Sequence, residues 1–395
     1  MKTAANSPQA EGAFHVSAFD TVRGLAALSV VVSHYIGAYN WPTTRVAVKQ
    51  AWTFSPLHIF WDGFSAVSLF YVLSGLVLSL KYFRESKRPD LSKISLPAYL
   101  TSRVFRIWPP YVFVFLVSYG LRRWAGGFAG PTIPPVNEWL FSTWSGSIPF
   151  AQLAREGFLF QSGDFALVPQ AWTLPIELFI SFLVPVGVML AARNTGWLVF
   201  FALILAGPLG ATYYVLHFAL GILLAKYYSE IRLWLEPRRA WKFLVLLAGL
   251  ILYTFRFTLP VYFNWELNDG LVWILTGFGS ALLLMVVIAS ERARNLLSLS
   301  FLRFIGKVSF SVYLLHFLVI ITLTTRALRL LNLPASASAL GWWLGLTFTI
   351  LATLGLAAPA YRFVEIPSMA LGRSLSKRIA DWQTRRAQSR IAGEK

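Results

Sequence analysis

The side chains able to do chemistry in this sequence are few, and most lie inside apolar runs. The segment FDTVRGLAALSVVVSHY carries Arg23 and His34, eleven residues apart. On a helix that spacing is three turns plus about 20°, so both project from one face, with a rise between them of about 16 Å. An arginine at one end suits an anion, and a neutral imidazole deeper in suits a general base. A snorkelling arginine and a histidine hydrogen-bonded between packed helices fit the same pattern. In LFYVLSGLVLS, Ser74 stands beside Gly75, a small pair that serves a helix–helix contact as readily as a ligand. In SRVFRIWPPY, Arg103 and Arg106 are neighbours on one helical face. Two planar guanidinium forks match phosphate geometry, and ordinary cytoplasmic anchoring also accounts for them.

Glu177 lies about one turn inside the apolar segment AWTLPIELFISFLVP, where an unpaired carboxylate is expensive. It is expected to have a cationic or histidine partner, or to be neutral. His34 is at a compatible depth, and Glu177 beside it would orient the ring and raise its basicity. Purely structural pairing is the alternative. His316, in KVSFSVYLLHFLVI, reads near mid-depth, where a lone helical histidine is more often a packing residue. His15, His58 and His217 are terminal, in an outer loop and beside an interface. The histidine spacings form no metal motif.

The elements that must carry these residues follow from composition. Of 395 residues, 56% are hydrophobic and 13% charged, with a mean hydropathy of +0.60. A soluble domain has about 25% charged residues, so this chain has too little polar surface to face water on all sides. Repeated long apolar runs predict an all-α polytopic membrane protein. The expected spans are ten: 21–40, 62–80, 107–121, 173–192, 197–211, 213–229, 243–259, 271–290, 308–325 and 341–360. Pro208 and Gly210 leave one long kinked helix over 197–229 as an alternative. With both termini cytoplasmic, the inner segments hold 27 of the 35 Lys and Arg, a strong positive-inside asymmetry.

That asymmetry explains the net charge of +18 without nucleic acid, for which no binding motif is present. The chain divides into a cytoplasmic segment 1–18, a membrane domain 19–367 and a basic cytoplasmic tail 368–395. Residues 81–106 read as a basic inner loop. Residues 122–171 form the longest outer segment, whose aromatic run Trp139 to Phe160 lies along the interface or folds back as a cap. Cysteine is absent, which excludes disulfides, thiolate metal sites and a cysteine acyl-enzyme. No cleavable signal peptide is expected, the first apolar helix serving for insertion.

Taken in order, these segments resemble the acyltransferase-3 family of integral membrane O-acyltransferases. The similarity rests on the Arg-x10-His spacing at Arg23 and His34, FYVLSGLVLS at 70–79 and the RxxR pair at Arg103 and Arg106. It continues with WTLPIE at 172–177, SFSVYLLHF at 309–317 and FVEIP at 363–367. Members acylate sugars such as lipopolysaccharide O-antigen, exopolysaccharides and Nod factors, and some antibiotics. The resemblance implies a ten-helix domain in the bacterial inner membrane that takes acetyl from cytoplasmic acetyl-CoA and delivers it to an acceptor hydroxyl. The donor is then a substrate, no resident cofactor is expected, and the acceptor is a carbohydrate or glycolipid.

In such a family Arg23, His34, Arg103 and Arg106 are the required positions. Ser74 belongs with the donor contacts, Glu177 with the catalytic pair, and His316 is an additional candidate. The sequence departs from the family in carrying Thr173 and Pro175 where relatives often have Ser and a non-proline residue. It also lacks the SGNH-type C-terminal domain of some relatives. The rival readings are a secondary transporter or flippase, whose hallmark inverted repeats are not seen, and a receptor or scaffold without catalysis.

Overall fold

The protein is described from a computed structural model, which covers residues 8–39, 46–84, 86–89, 95–124, 144, 146–160, 165–207, 213–263, 265–266, 268–331 and 339–393. Among the described residues every regular element is helical. The principal helices are α1 (Pro8–Tyr39), α2 (Gly63–Phe83), α3 (Leu96–Trp124), α4 (Phe150–Gly157), α5 (Thr173–Arg193) and α6 (Thr195–Ala206). They continue with α7 (Tyr214–Lys226), α8 (Arg239–Tyr253), α9 (Asp269–Ala289), α10 (Ser300–Val319), α11 (Ala339–Ala360) and α12 (Ile366–Gly393). Seven helices are long and apolar enough to cross a membrane. An eighth is added if the pair Arg239–Tyr253 and Phe255–Val261, bent by 70°, is one span. The shorter apolar helices α6 and α7 fall on the fifth and sixth expected spans. They are two helices packed together, so the single kinked helix over 197–229 does not form.

Three expectations change. The third helix begins at Leu96, eleven residues before the expected span, with Pro97 in its first turn, where a missing N–H costs nothing. It runs through Pro109 and Pro110 without ending, so Arg103 and Arg106 stand in a helix interior. α10 continues through a π-helical turn, Ile320–Thr324, into Thr325–Leu330. The basic tail is also helical: α11 passes through a π turn, Tyr361–Glu365, into α12. α12 packs back on α3, where Ser376 donates to the Ala98 carbonyl at 2.7 Å and Ser95 to Gln383 at 2.6 Å.

The bundle around the site is drawn together by glycine. At the α1–α10 crossing, a Cβ on Gly24 would lie 2.7 Å from the Gly306 nitrogen. One on Gly306 would lie 2.6 Å from the Asp20 carbonyl carbon. At the α2–α7 crossing, Gly75 and Gly221 likewise lie against the partner helix backbone. In lipid, where apolar surface gains little by leaving the solvent, such close approach supplies dispersion contacts that hold helices together.

Of the aromatic run, the described part folds back onto the bundle as a cap. Trp144 is 2% exposed, donates from Nε1 to the Leu167 carbonyl at 3.2 Å and accepts from Arg122 Nε at 3.1 Å. Buried Glu156 in α4 accepts from Gln152 and from the backbone N–H groups of Ala166 and Leu167, which returns the chain toward α5. Trp139 itself lies outside the described residues.

Candidate active site

Two polar centres occupy the bundle. The first is a cleft of about 810 Å³ whose polar lining includes Arg23, Ser74, Arg103, Arg106, Glu177, Ser309 and Tyr313. Its apolar wall includes Phe70, Val77 and Leu78 of α2, Ile107 of α3, Leu174 of α5 and Phe310 of α10. Thus α1, α2, α3, α5 and α10 each supply a side chain, and five segments far apart in sequence meet in one place.

The arginines of the cleft differ in how they are held. Arg23 is ion-paired to Asp20, one turn earlier on α1. Arg106 is ion-paired to Glu365, wholly buried in the π turn, which also accepts from Ser311 Oγ at 2.9 Å. Among the described residues Arg103 is ion-paired to Glu177, with Nη2 and Oε1 3.6 Å apart, beyond hydrogen-bond range. Arg23 Nε and Arg103 Nε are buried without a hydrogen-bond partner among the described residues. Buried donors are nearly always satisfied, so two orphaned guanidinium nitrogens beside one cleft are what an anionic occupant would complete.

Of the partners open to Glu177, the structure gives it a cation and not His34. Glu177 takes its partners from Arg103 and from Ser74, whose Oγ donates to Oε1 at 3.3 Å. The reason lies before α5. The turn Pro169–Trp172 is itself embedded, with Gln170 and Ala171 buried and Gln170 Nε2 donating to the Leu314 carbonyl at 2.8 Å. α5 therefore starts inside the bundle, and Glu177, one turn further along, is level with the arginines. A cationic partner was one of the outcomes expected for it.

The second centre is a histidine pair. His34 Nδ1 and His316 Nε2 are 2.7 Å apart, and the rings are almost parallel, at 3°. His316 is fully buried and His34 partly exposed, so His34 is the more accessible ring. His316 is thus not the isolated packing residue its sequence position suggests. The cleft wall also carries a hydroxyl belt of Tyr71, Thr173 and Tyr313. Tyr313 donates to the Gln170 carbonyl at 2.7 Å and lies 2.7 Å from Thr173 Oγ1, while Tyr71 donates to the Thr173 carbonyl at 3.0 Å. Tyr313 lines the cleft and precedes His316 by one turn.

Asp20, Tyr71, Gln170, Ser309, Ser311, Tyr313 and Glu365 belong to this arrangement without standing out as site residues in the sequence. Tyr71, Ser309, Ser311, Tyr313 and Glu365 lie within the motifs FYVLSGLVLS, SFSVYLLHF and FVEIP, and a carboxylate in an apolar setting is the available signal for Glu365. His217 and His58 have other surroundings, and the side chain of His15 lies outside the described residues. His217 is buried with Nε2 2.9 Å from the Trp273 carbonyl, and His58 stacks on Phe257 at 3.8 Å between centroids. Among the described residues no group of three or more His, Asp or Glu is placed to hold a metal ion.

Comparison with curated proteins finds no match, and comparison with solved structures finds none either. The family model described as an acyltransferase domain matches residues 16–362. That stretch contains the cleft, the hydroxyl belt and both histidines, with Glu365 just beyond its end. An all-α membrane bundle with this site, matched over most of its length, belongs to the acyltransferase-3 family and is a membrane acyltransferase.

Proposed function

We propose that the protein is an O-acyltransferase of the bacterial inner membrane. It moves an acyl group, most readily acetyl, from cytoplasmic acyl-CoA to a hydroxyl of a carbohydrate or glycolipid acceptor. The observation that carries this reading is the cleft with three arginines, two of them with orphaned buried Nε donors. It is set at the inner end of the same helix that bears His34. Phosphate oxygens of the donor satisfy those guanidinium groups, and Arg103, the least committed of the three, makes the main contact. Arg106 and Arg23, each with its carboxylate, flank it.

The pantetheine arm extends past the hydroxyl belt toward His34, a rise of about 16 Å along α1 from Arg23. His34, as neutral imidazole, takes the proton of the acceptor hydroxyl as that oxygen bonds to the thioester carbonyl carbon. The C–S bond then breaks and His34 returns the proton to the departing thiolate. Glu177 acts in this scheme by holding Arg103 and Ser74, and not as a partner of the base.

The test is chemical analysis of surface glycans from wild-type and deletion strains. Loss of O-acetyl signals in the deletion, restored by the wild-type gene and not by His34→Ala, is expected. Unchanged glycans in the deletion strain, with no donor turnover by the purified protein, would contradict the proposal.

A further inference from the structure

We infer that His316 is a positioning residue that fixes the tautomer of His34, placing the lone pair that accepts the proton on His34 Nε2. The inference rests on the proposed role of His34 as the proton acceptor, and it concerns a neighbour that this role leaves unused.

The hydrogen bonds run outward from the backbone. His316 Nδ1 lies 2.8 Å from the Tyr313 carbonyl and 3.3 Å from the Val312 carbonyl. A carbonyl only accepts, so His316 Nδ1 carries a hydrogen. Charge is expensive at that depth, and the neutral ring then has a bare Nε2. That nitrogen is 2.7 Å from His34 Nδ1. Two bare nitrogens do not bond, so His34 Nδ1 carries the hydrogen and donates it. Neutral His34 therefore has its lone pair on Nε2.

Ring geometry agrees. The interplanar angle is 3° and the centroids are 5.0 Å apart, too far for face-to-face contact when the nitrogens are 2.7 Å apart. The rings lie side by side, with the bond near their common plane, where N–H and lone pair point at each other.

The arrangement performs the work of the carboxylate in a Ser-His-Asp triad without a second charge in the membrane. Two backbone carbonyls polarise His316, and His316 in turn polarises the His34 Nδ1–H. When the acceptor O–H bond breaks and its proton reaches His34 Nε2, the cationic ring donates to an acceptor already aimed at it. The same proton leaves with the thiolate as the C–S bond breaks, so His316 ends as it began. Tyr313 couples this relay to the donor cleft, since its carbonyl holds His316 while its side chain lines the cleft.

The test is ¹⁵N NMR of the full chain in lipid nanodiscs with labelled histidine, which separates protonated from bare ring nitrogens. His34 signals are assigned by their loss in His34→Ala. The expected spectrum has His34 protonated at Nδ1 and bare at Nε2, with redistribution toward the other tautomer in His316→Ala. In kinetics with labelled acetyl-CoA, His316→Ala is expected to lower kcat by roughly 10- to 100-fold with donor KM unchanged, because His316 does not line the cleft. His316→Gln, whose carbonyl can accept from Nδ1–H, recovers part of the loss. A bare Nδ1 on His34 in the wild type, or full kcat in His316→Ala, would overturn the inference. The wild-type spectrum decides it even if the alanine variant fails to fold. The expected tautomer in a protein that turns over no acyl donor would support the inference and contradict the proposed function.

Discussion

The helix pair that brings His34 to His316 crosses at glycine, and a single methyl group there tests how far the site depends on that closeness. In Gly306→Ala the new Cβ would lie 2.6 Å from the Asp20 carbonyl carbon and 2.7 Å from the Thr21 nitrogen. Both are backbone atoms, so no side chain can swing away. Ordinary contact begins at 3.4 Å, which requires α1 and α10 to part by about 0.8 Å, at a cost of about 1–3 kcal/mol for overpacking. If that displacement carried along the helices unreduced, the nitrogen separation in the histidine pair would grow from 2.7 Å to about 3.5 Å, the limit of a useful hydrogen bond. The expected result is a lower unfolding midpoint together with a lower kcat. Tryptophan fluorescence follows the first, since the chain has 16 Trp, and labelled acetyl-CoA turnover follows the second. Gly120→Ala in α3 is the control: its Cβ meets nothing within 4 Å, and it is expected to be neutral or to stabilise by up to about 1 kcal/mol through helix propensity. Equal midpoints and equal kcat for Gly306→Ala and wild type would refute the claim that this crossing is tight and that it sets the pair.

Other perturbations probe the cleft and its surroundings. Arg103→Gln removes a charge-assisted contact worth about 1.5–3 kcal/mol and is expected to raise donor KM by about 10- to 100-fold, measured by donor titration. Glu365→Ala strips partly exposed Arg106 and buried Ser311 of their shared acceptor, and a loss of about 1–3 kcal/mol should appear in denaturant unfolding, with Glu365→Gln milder. In the first turn of α2, Ser65 Oγ lies 2.6 Å from both the Tyr253 carbonyl and Oδ2 of Asp62, the residue just before the helix. The hydroxyl has one proton and the carbonyl only accepts, so a protonated Asp62 completes the trio, and burial pushes its carboxyl up to about 7. The folded state then holds the proton more tightly than the unfolded chain. That contribution to stability is complete below about pH 4 and is lost as pH rises through about 7. Asp62→Asn is expected to flatten this part of the profile of unfolding midpoint against pH.

What the sequence reveals and what it hides divide along a physical line. Apolar run length and cation asymmetry are local or additive signals, and they locate the helices well, including the short pair at 195–206 and 214–226. Arg23 and His34 are legible because one helix carries both and its period fixes their relative direction. Partners between helices are not legible in this way, because they depend on depth. Glu177 was placed by assuming that its helix starts at the membrane surface, whereas the embedded turn at Gln170 moves it one layer inward, to Arg103. His316 reads from its own helix only as a packing residue or an additional candidate, because periodicity says nothing of what a second helix brings opposite it. Glu365 was seen only as part of a motif, since a π turn, which redirects a side chain by breaking the helical period, leaves no periodic trace.

The central claim is that the arginine cleft receives an acyl-CoA and that His34 performs the transfer. Its most direct test is the release of labelled acetyl from acetyl-CoA by the purified protein, with and without carbohydrate acceptors, for wild type and His34→Ala. The account predicts acceptor-dependent turnover by the wild type and a loss of about 10²- to 10⁴-fold in the variant, with donor KM little changed. No turnover with any acceptor, or equal rates in the two proteins, would contradict it.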